Sequence, residues 1–494
     1  MNPYDYVKKE PYKLYINGEF VPSVSTRTFD ITNPANNEVF AKAYSGGRAD
    51  VEKAISAARN AFDHGPWGKM TNRQRSRLLF EVRDLLSRRS EEFAALETLD
   101  CGKIFTGALH YDVAQALDGF EYYAGKARCL EGNVIPVDGG GRYLNYVMWQ
   151  PYGVVGEILP WNCPLLMGAA KIASILAAGN TVIIKPSSWA SLSMLTMAEV
   201  LHEAGFPPGV VNIVTGSGSE VGTALVESPL VDMVSMTGGT DTGRKVISDS
   251  SKTIKDVALE LGGKSPNIVF PDIDWESAVK WTLLGFTLGS GQVCVSGTRL
   301  ILHRSIYDRF LAQLKAECEK LIPGDGFDCE REVNLPSLIH PDHAARVWSY
   351  IEKGKAEGAR LITGGVPYDD PALAKGNFVP PTVFADVTPE MTIFREEIFG
   401  PVLAVTPFET EQQAIDLAND TPFGLAGAVF TNDCGRALRV AEAIKAGQIY
   451  INTYYSKGMN ESPGAGWKES GLGIAGIYKY MRSKTVFVDM NGRP

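Results

Sequence analysis

The spacing of apolar residues divides the chain into stretches of different period. Val51, Ile55, Ala58 and Phe62 recur at helical spacing after Asp50, which predicts a helix with Asp50 as its cap. The same period continues from Thr71 to Leu99 and predicts further core helices. Ahead of them, strand-forming residues at Leu14-Tyr15-Ile16 and Glu19-Phe20 flank Asn17-Gly18, a dipeptide suited to a tight hairpin turn. Beyond residue 150 the pattern changes to short β-branched runs: Gly153 to Ile158, Thr181 to Ile184, and Val210 to Val214. Runs that are apolar on both faces fit strands buried within a parallel sheet. Helical stretches separate them, so the fold class expected here is α/β with a doubly wound sheet. A second α/β unit runs from Glu260 to about Gly447, with Asn267-Ile268-Val269-Phe270 as its first buried strand.

Three strand-like runs fall outside both units. Asn133 to Val137 and Tyr143 to Trp149 flank Gly139-Gly140-Gly141 and predict a hairpin, and Thr485-Val486-Phe487-Val488 predicts a strand near the C-terminus. An isolated two-stranded ribbon is marginal in water, so the hairpin needs a partner, and the C-terminal strand is a candidate to complete its sheet.

Composition narrows the function classes. A chain of 494 residues has room for two or three domains with ample cores, and 45% hydrophobic with 21% charged residues fits an ordinary soluble protein. A net charge of -9 without a cluster of Lys and Arg argues against a nucleic-acid partner. Met1 to Tyr15 is polar, and no uncharged apolar run reaches the roughly 18 residues of a membrane span, so no membrane partner is expected. The cysteines (Cys101, Cys129, Cys163, Cys294, Cys318, Cys329 and Cys434) are odd in number, scattered and free of any Cys-x-x-Cys pair. That usage points to reduced thiols and a cytoplasmic location.

One of these cysteines stands in a loop built for chemistry. In Gly289-Ser290-Gly291-Gln292-Val293-Cys294 the glycines permit a tight turn and leave N–H groups free to face an oxyanion beside the Cys294 side chain. A thiol needs a base or positive potential to react, and the competing reading of Cys294 is a buried structural residue. Three other stretches supply parts that a thiol acting on an aldehyde needs. Asn162, confined between Pro160 and Pro164, is a candidate oxyanion donor, and Glu260 in Leu259-Glu260-Leu261-Gly262-Gly263-Lys264-Ser265 is a lone carboxylate in an apolar run. The third is Glu396-Glu397-Ile398-Phe399-Gly400-Pro401. In this order the four motifs resemble the aldehyde dehydrogenase superfamily, from about residue 15 to about residue 488.

The resemblance implies an NAD(P)-dependent, non-acylating dehydrogenase. Residues 1-128 and 150-259 would form a Rossmann-like cofactor domain, 260-447 a catalytic domain, and 129-149 with 475-494 an arm that joins subunits into a dimer or tetramer. Cys294 would add to the aldehyde, Asn162 would hold the oxyanion, and Glu260 would activate water against the resulting thioester. Thr237-Gly238-Gly239-Thr240-Asp241-Thr242-Gly243, at a strand-to-helix turn, would hold the pyrophosphate, with Gly238, Gly239, Thr242 and Gly243 as its contacts. Gly218 lies in a second glycine turn, whose spacing to Gly222 misses the usual dinucleotide fingerprint. Ile158 and Trp161 would line the cofactor cleft, Lys185 would bond a ribose, and Glu397 and Phe399 would hold the nicotinamide ribose and ring. Two alternatives stay open: a coenzyme A-acylating enzyme, and a non-catalytic structural protein on the same fold.

The positions that would flank a substrate tunnel are Cys163, Met167, Ala170, Val293 and Val295, small or flexible here where relatives of narrow specificity carry aromatics. They predict a tunnel open to bulky or polar aldehydes. In relatives Asn452 and the segment from Tyr454 to Trp467 return toward the cleft and shape its entrance, which here reads Pro463-Gly464-Ala465-Gly466. Ser188 stands where many NAD-using relatives have a glutamate, which predicts tolerance of NADP through a hydroxyl donated to its phosphate. His340 and His343 invite a metal reading, but Pro341-Asp342 between them suggests a helix entry, so no metal is expected.

Overall fold

A computed structural model describes the chain except residues 1, 139–140, 329, 456–459, 463 and 493–494. Five parallel strands form the heart of an eight-stranded sheet: β1 Val154–Ile158, β2 Thr181–Lys185, β3 Val211–Ile213, β4 Met233–Thr237 and β5 Asp256–Glu260. Their order is β3-β2-β1-β4-β5, so the chain builds outward from β1 in one direction and then returns to extend the sheet in the other. Such a reversal opens a crevice at the carboxyl ends of β1 and β4. The strands are apolar on both faces because both faces are covered. Val182 and Ile184 point into one core cluster while Ile183 between them points into another, shared with Val234, Met236 and Leu259. Helix α1, Pro164–Ala178, covers the first of these faces, with Pro164 in its first turn and Gly179 in the left-handed conformation just beyond its end.

The N-terminal hairpin pairs Leu14–Ile16 with Glu19–Val21 and joins the edge of this sheet through Tyr15 opposite Ile213. The helix expected after Asp50 begins earlier, at Arg48. Gly47 is its cap, and Asp50 is the third helical residue, whose carboxylate accepts from the Gly47 N–H at 3.0 Å. The period from Thr71 to Leu99 resolves into two helices, Asn72–Arg88 and Ser90–Cys101.

A second, seven-stranded sheet contains β6 Pro266–Val269, β7 Arg299–His303, β8 Thr382–Ala385, β9 Val402–Phe408, β10 Ala426–Phe430 and β11 Gln448–Ile451. These six are parallel, in the order β8-β9-β7-β6-β10-β11, with Arg360–Thr363 antiparallel at the edge beside β8. Glu260 is the last residue of β5 and thus belongs to the first sheet, whereas the second sheet runs past residue 447 to Ile451. The chain returns to the first sheet at Gly471–Leu472, which pairs with β5.

A three-stranded antiparallel sheet stands apart. Tyr143–Pro151 pairs with Asn133–Val134 on one side and with Met481–Asp489 on the other, so the C-terminal strand does complete the hairpin's sheet. Gly139 and Gly140 of the expected turn lie outside the described residues. Val134 (71% exposed) and Phe487 (67% exposed) leave this sheet with apolar surface in water.

Candidate active site

The Cys294 loop is held from several sides. After the helix Trp275–Thr287, a single 3-10 turn over Leu288–Gly291 carries Gly289, Ser290 and Gly291 at φ 56°, 54° and 74°. This left-handed backbone is free for glycine but costs serine about 1 to 2 kcal/mol. A buried hydrogen bond from Ser290 Oγ to the Pro336 carbonyl offsets that cost. Gln292 braces the same turn: its Nε2 donates to Gly289 O at 3.0 Å and Ser337 O at 3.3 Å, and its Oε1 accepts from the Ile339 N–H at 2.9 Å. The glutamine two residues before the cysteine is therefore a brace for the loop. On the far side Tyr454 donates its hydroxyl to Val295 O at 2.6 Å.

Burial pushes the Cys294 thiol up to about 12, the charges at Cys163, Glu397 and Glu260 push in the same direction, and the Val295 N–H opposes them. The resting group is a neutral thiol that needs a base before it can attack. Asn162, between β1 and α1, donates Nδ2–H to Gln292 O at 2.8 Å, which ties the first unit to the nucleophile loop. A side-chain amide has two such protons, so one remains for an oxyanion.

Glu260 reaches the same place from the end of β5, and the glycines after it explain the spacing of its motif. A Cβ on Gly263 would stand 2.5 Å from the Cys294 carbonyl oxygen, and one on Gly262 would overlap the Glu397 carboxylate. Only glycine lets these three segments touch. The Gly263 N–H donates to Glu397 Oε1 at 2.9 Å, and burial raises the Glu397 carboxyl to about 7. Two residues on, Phe399 takes φ 61° and meets Trp161 edge-on, with ring centroids 5.2 Å apart.

The carboxyl edge of the first sheet gathers the other cofactor candidates. Ile158 and Lys185 are register partners at the ends of β1 and β2, and β4 ends at Thr237 beside Glu260. Burial lowers the Lys185 ammonium to about 8. Helix α2, Thr240–Ser250, starts at Gly239 without a side-chain cap and contains Thr242 and Gly243 in its first turn. Space beside Gly239 and Gly218 is open where a Cβ would be, and Gly243 admits the Leu261 side chain. An uncapped helix N-terminus with room in front of it fits a pyrophosphate. Gly238 links β4 to this turn and donates its N–H to Glu260 O at 3.0 Å.

One expectation changes here. The Ser188 hydroxyl donates to Gly216 O at 3.1 Å, so it is engaged within the protein and is not a ready phosphate donor. The Asn452 amide exchanges two hydrogen bonds with the Thr431 backbone, at 3.0 and 2.9 Å.

Cys163 immediately precedes α1, and Met167 and Ala170 follow at helical spacing, all three partly buried, as are Val293 and Val295 on either side of Cys294. Tyr450 and Tyr455 lie within electrostatic reach of Cys294, and neither was singled out from sequence. For His340 and His343 the sequence suggests a helix entry and no metal. His340 caps the helix α3, Pro341–Ala356, as the Pro-Asp pair suggested, and His343 donates Nε2–H to Phe399 O at 2.7 Å while facing Trp161. Among the described residues no three His, Cys, Asp or Glu side chains are grouped to hold a metal ion.

The model of the aldehyde dehydrogenase family matches residues 20–486. Betaine aldehyde dehydrogenase of Bacillus subtilis (strain 168) is 41% identical over 481 residues, 96% of this chain and 96% of its own. The structure of an aldehyde dehydrogenase from Bacillus cereus in complex with NAD+ aligns at 39% identity and TM-score 0.95 over 99% of both chains. That of betaine aldehyde dehydrogenase from Staphylococcus aureus, also with NAD+, aligns at 39% identity and TM-score 0.96 over 100% of this chain and 98% of that one.

Proposed function

The chain belongs to the aldehyde dehydrogenase family, and from that premise we propose that it oxidises an aldehyde to the carboxylic acid through Cys294, with NAD or NADP as hydride acceptor. One observation supports this reading above the rest. The Asn162 amide bonds the backbone of the Cys294 loop, while Gly263, three residues past Glu260, lies so close that a Cβ on it would stand 2.5 Å from the Cys294 carbonyl oxygen.

Cys294 Sγ gives up its proton to a base, and the thiolate adds to the aldehyde carbon. The oxygen that gains charge is held by the second Asn162 N–H and by the Cys294 N–H, which no acceptor among the described residues takes. The nicotinamide, when bound, supplies the acceptor for the hydride. A thioester then remains on Cys294. Glu260 draws a proton from water, the water oxygen bonds the acyl carbon, and the C–S bond breaks to release the acid and the thiol.

For the cofactor, Gly238, Gly239, Thr242 and Gly243 would meet the pyrophosphate, and Ile158, Trp161 and Gly218 would flank it. Lys185 and Ser188 would lie along the adenosine ribose, and Glu397 and Phe399 along the nicotinamide ribose and ring. Cys163, Met167, Ala170, Val293 and Val295 would line the tunnel. We place the protein in the cytoplasm, in keeping with described cysteines that are all free and with no helix among the described residues long and apolar enough to cross a membrane. The apolar surface at Val134 and Phe487 supports a homodimer or tetramer, which light scattering at micromolar concentration checks.

Incubation with an aldehyde and either nucleotide, with and without coenzyme A, tests the reaction. Reduced nucleotide and free acid should form in equal amounts without coenzyme A. Cys294→Ala should abolish both, and a variant as active as wild type would remove the assignment.

A further inference from the structure

Behind Glu260 the first sheet buries a cluster that the mechanism above leaves unused. Glu157 on β1, Ser235 on β4 and Lys171 on α1 are all less than a tenth exposed. Lys171 Nζ donates to Ser235 Oγ at 3.1 Å and stands 3.6 Å from Glu157 Oε1. Tyr480 donates its hydroxyl to Glu157 Oε2 at 3.4 Å and lies 3.3 Å from Ser235 Oγ. The residue before it, Lys479, is 7% exposed, and its Nζ donates to Glu260 Oε1 at 3.3 Å. Among the described residues that carboxylate is the only hydrogen-bond or ion-pair partner of Lys479 Nζ.

Burying an ammonium costs several kcal/mol unless a well-placed partner offsets it. An apolar side chain would fill this position without that cost, so packing alone does not call for a lysine. The turn that delivers it is specific: Gly476 at φ 82° opens a 3-10 turn over Ile477–Tyr480, which places Lys479 on Glu260 and Tyr480 on Glu157 together. The pocket holds two ammonium groups and two carboxylates, and the Glu260 carboxylate also faces Cys294. The charged groups facing Lys479 are thus Glu260, Lys171 and Glu157, with Tyr480 on Glu157 beside them.

We propose that Lys479 is a positioning residue for Glu260: its ammonium, backed by the Lys171–Glu157–Tyr480 cluster, keeps the carboxylate aimed for thioester hydrolysis. This deepens the reading in which Cys294 and Glu260 share the reaction and rests on it. The chemical step is unchanged: a water O–H bond breaks to Glu260, a C–O bond forms, and the C–S bond to Cys294 breaks. Lys479 makes no bond to substrate. Its burial lowers its own ammonium to about 8, so it is charged through neutral pH and stops assisting above that range.

The test compares wild type, Lys479→Met, Lys479→Gln and Lys479→Arg as full-length enzyme, by rapid mixing with aldehyde and nucleotide. In the Met and Gln variants the first turnover of reduced nucleotide should stay within about threefold of wild type, and the following steady phase should slow about tenfold. The acyl adduct should accumulate on Cys294 by intact mass. Lys479→Arg, which keeps the charge, should restore most of the steady phase. A lysine that only fills space would lower melting temperature and slow both phases alike, and should one neutral variant fail to fold, the other carries the comparison. Unchanged phases in a folded neutral variant would overturn the role of Lys479 alone. Activity surviving in Cys294→Ala would instead remove the reading beneath it.

Discussion

The Cα of Gly263 faces the carbonyl oxygen of Cys294 so closely that a methyl group there would stand 2.5 Å from it. The obstacle is backbone, so the contact cannot be relieved by rotating a side chain; the nucleophile loop or the end of the Glu260 segment must move. A displacement near 1 Å in a catalytic group can cost about a hundredfold in rate. Gly263→Ala should therefore lower kcat/KM by about a hundredfold while the far-ultraviolet circular dichroism stays that of wild type. A variant within twofold of wild type would mean that the loop tolerates the shift and that the contact does not set the geometry.

His343 gives stability a pH dependence with a definite sign. Burial lowers its imidazole from the ordinary 6.5 to about 4, and the Phe399 carbonyl that accepts from it only partly opposes this. The unfolded chain therefore binds a proton between pH 6.5 and 4 that the folded chain does not, so folding weakens as pH falls through that window. The loss approaches about 3 kcal/mol at its lower end. Above pH 6.5 the contribution is fully present. His343→Gln keeps a donor for Phe399 O and has nothing to titrate, so its melting temperature should fall less between pH 7 and 4 than that of wild type. Parallel curves would show that other groups set the acid sensitivity.

What could be read from the chain followed distance along it. The first sheet is legible through β-branched runs, because its central strands are covered on both faces and need no distant information to look buried, while of the second sheet the sequence shows only the first strand, Asn267 to Phe270. Cys294, Asn162, Glu260 and Glu397 stood out because each sits in a local turn of glycine or proline with its own signature. Lys479 did not, since it reaches Glu260 only after the chain returns beside β5 at Gly471–Leu472, a pairing of two residues that carries no periodic signal. The partners of His343 and Asn452 are illegible for a related reason: both are polar residues near a loop, and only the fold shows that one serves the Phe399 backbone and the other the Thr431 backbone. Ser188 was placed correctly in the turn after β2, but its hydroxyl's choice of Gly216 O depends on the turn after β3, remote in sequence.

The tunnel should favour size over smallness. Cys163, just before α1, and Met167 and Ala170 on it recur at helical spacing with no aromatic ring among them, while Tyr450 on β11 and Tyr455 after it lie within electrostatic reach of Cys294. With these residues as the proposed lining, an aldehyde with a large or polar remainder should fit better than acetaldehyde. A series of aldehydes of increasing size should show kcat/KM rising by at least about tenfold over acetaldehyde, a gain of about 1.4 kcal/mol. Ala170→Trp should reverse the order by filling the tunnel. Acetaldehyde outperforming every larger member in the wild type would refute the open tunnel.

Cofactor choice turns on a group that is absent from Ser188. Its hydroxyl is already engaged with Gly216 O at 3.1 Å, so attraction to a 2′-phosphate must come from elsewhere. Lys185 at the end of β2 is the nearby cation, and with its ammonium lowered to about 8 it is still charged at neutral pH. No carboxylate at position 188 repels a phosphate, and Ser188 stays small because its hydroxyl turns inward. NADP should therefore be used within about tenfold of NAD at pH 7, a gap of about 1.4 kcal/mol. Because Lys185 discharges as pH rises past 8, NADP use relative to NAD should decline there. Ser188→Glu should place a charge beside the ribose, lowering kcat/KM for NADP while sparing NAD, and Ser188→Ala should leave the ratio near that of wild type, since the lost hydrogen bond is internal. Steady-state kinetics with both nucleotides at pH 7 and 9 decide the matter. A thousandfold preference for NAD at pH 7, about 4 kcal/mol, would show that something other than the residue at 188 excludes the phosphate.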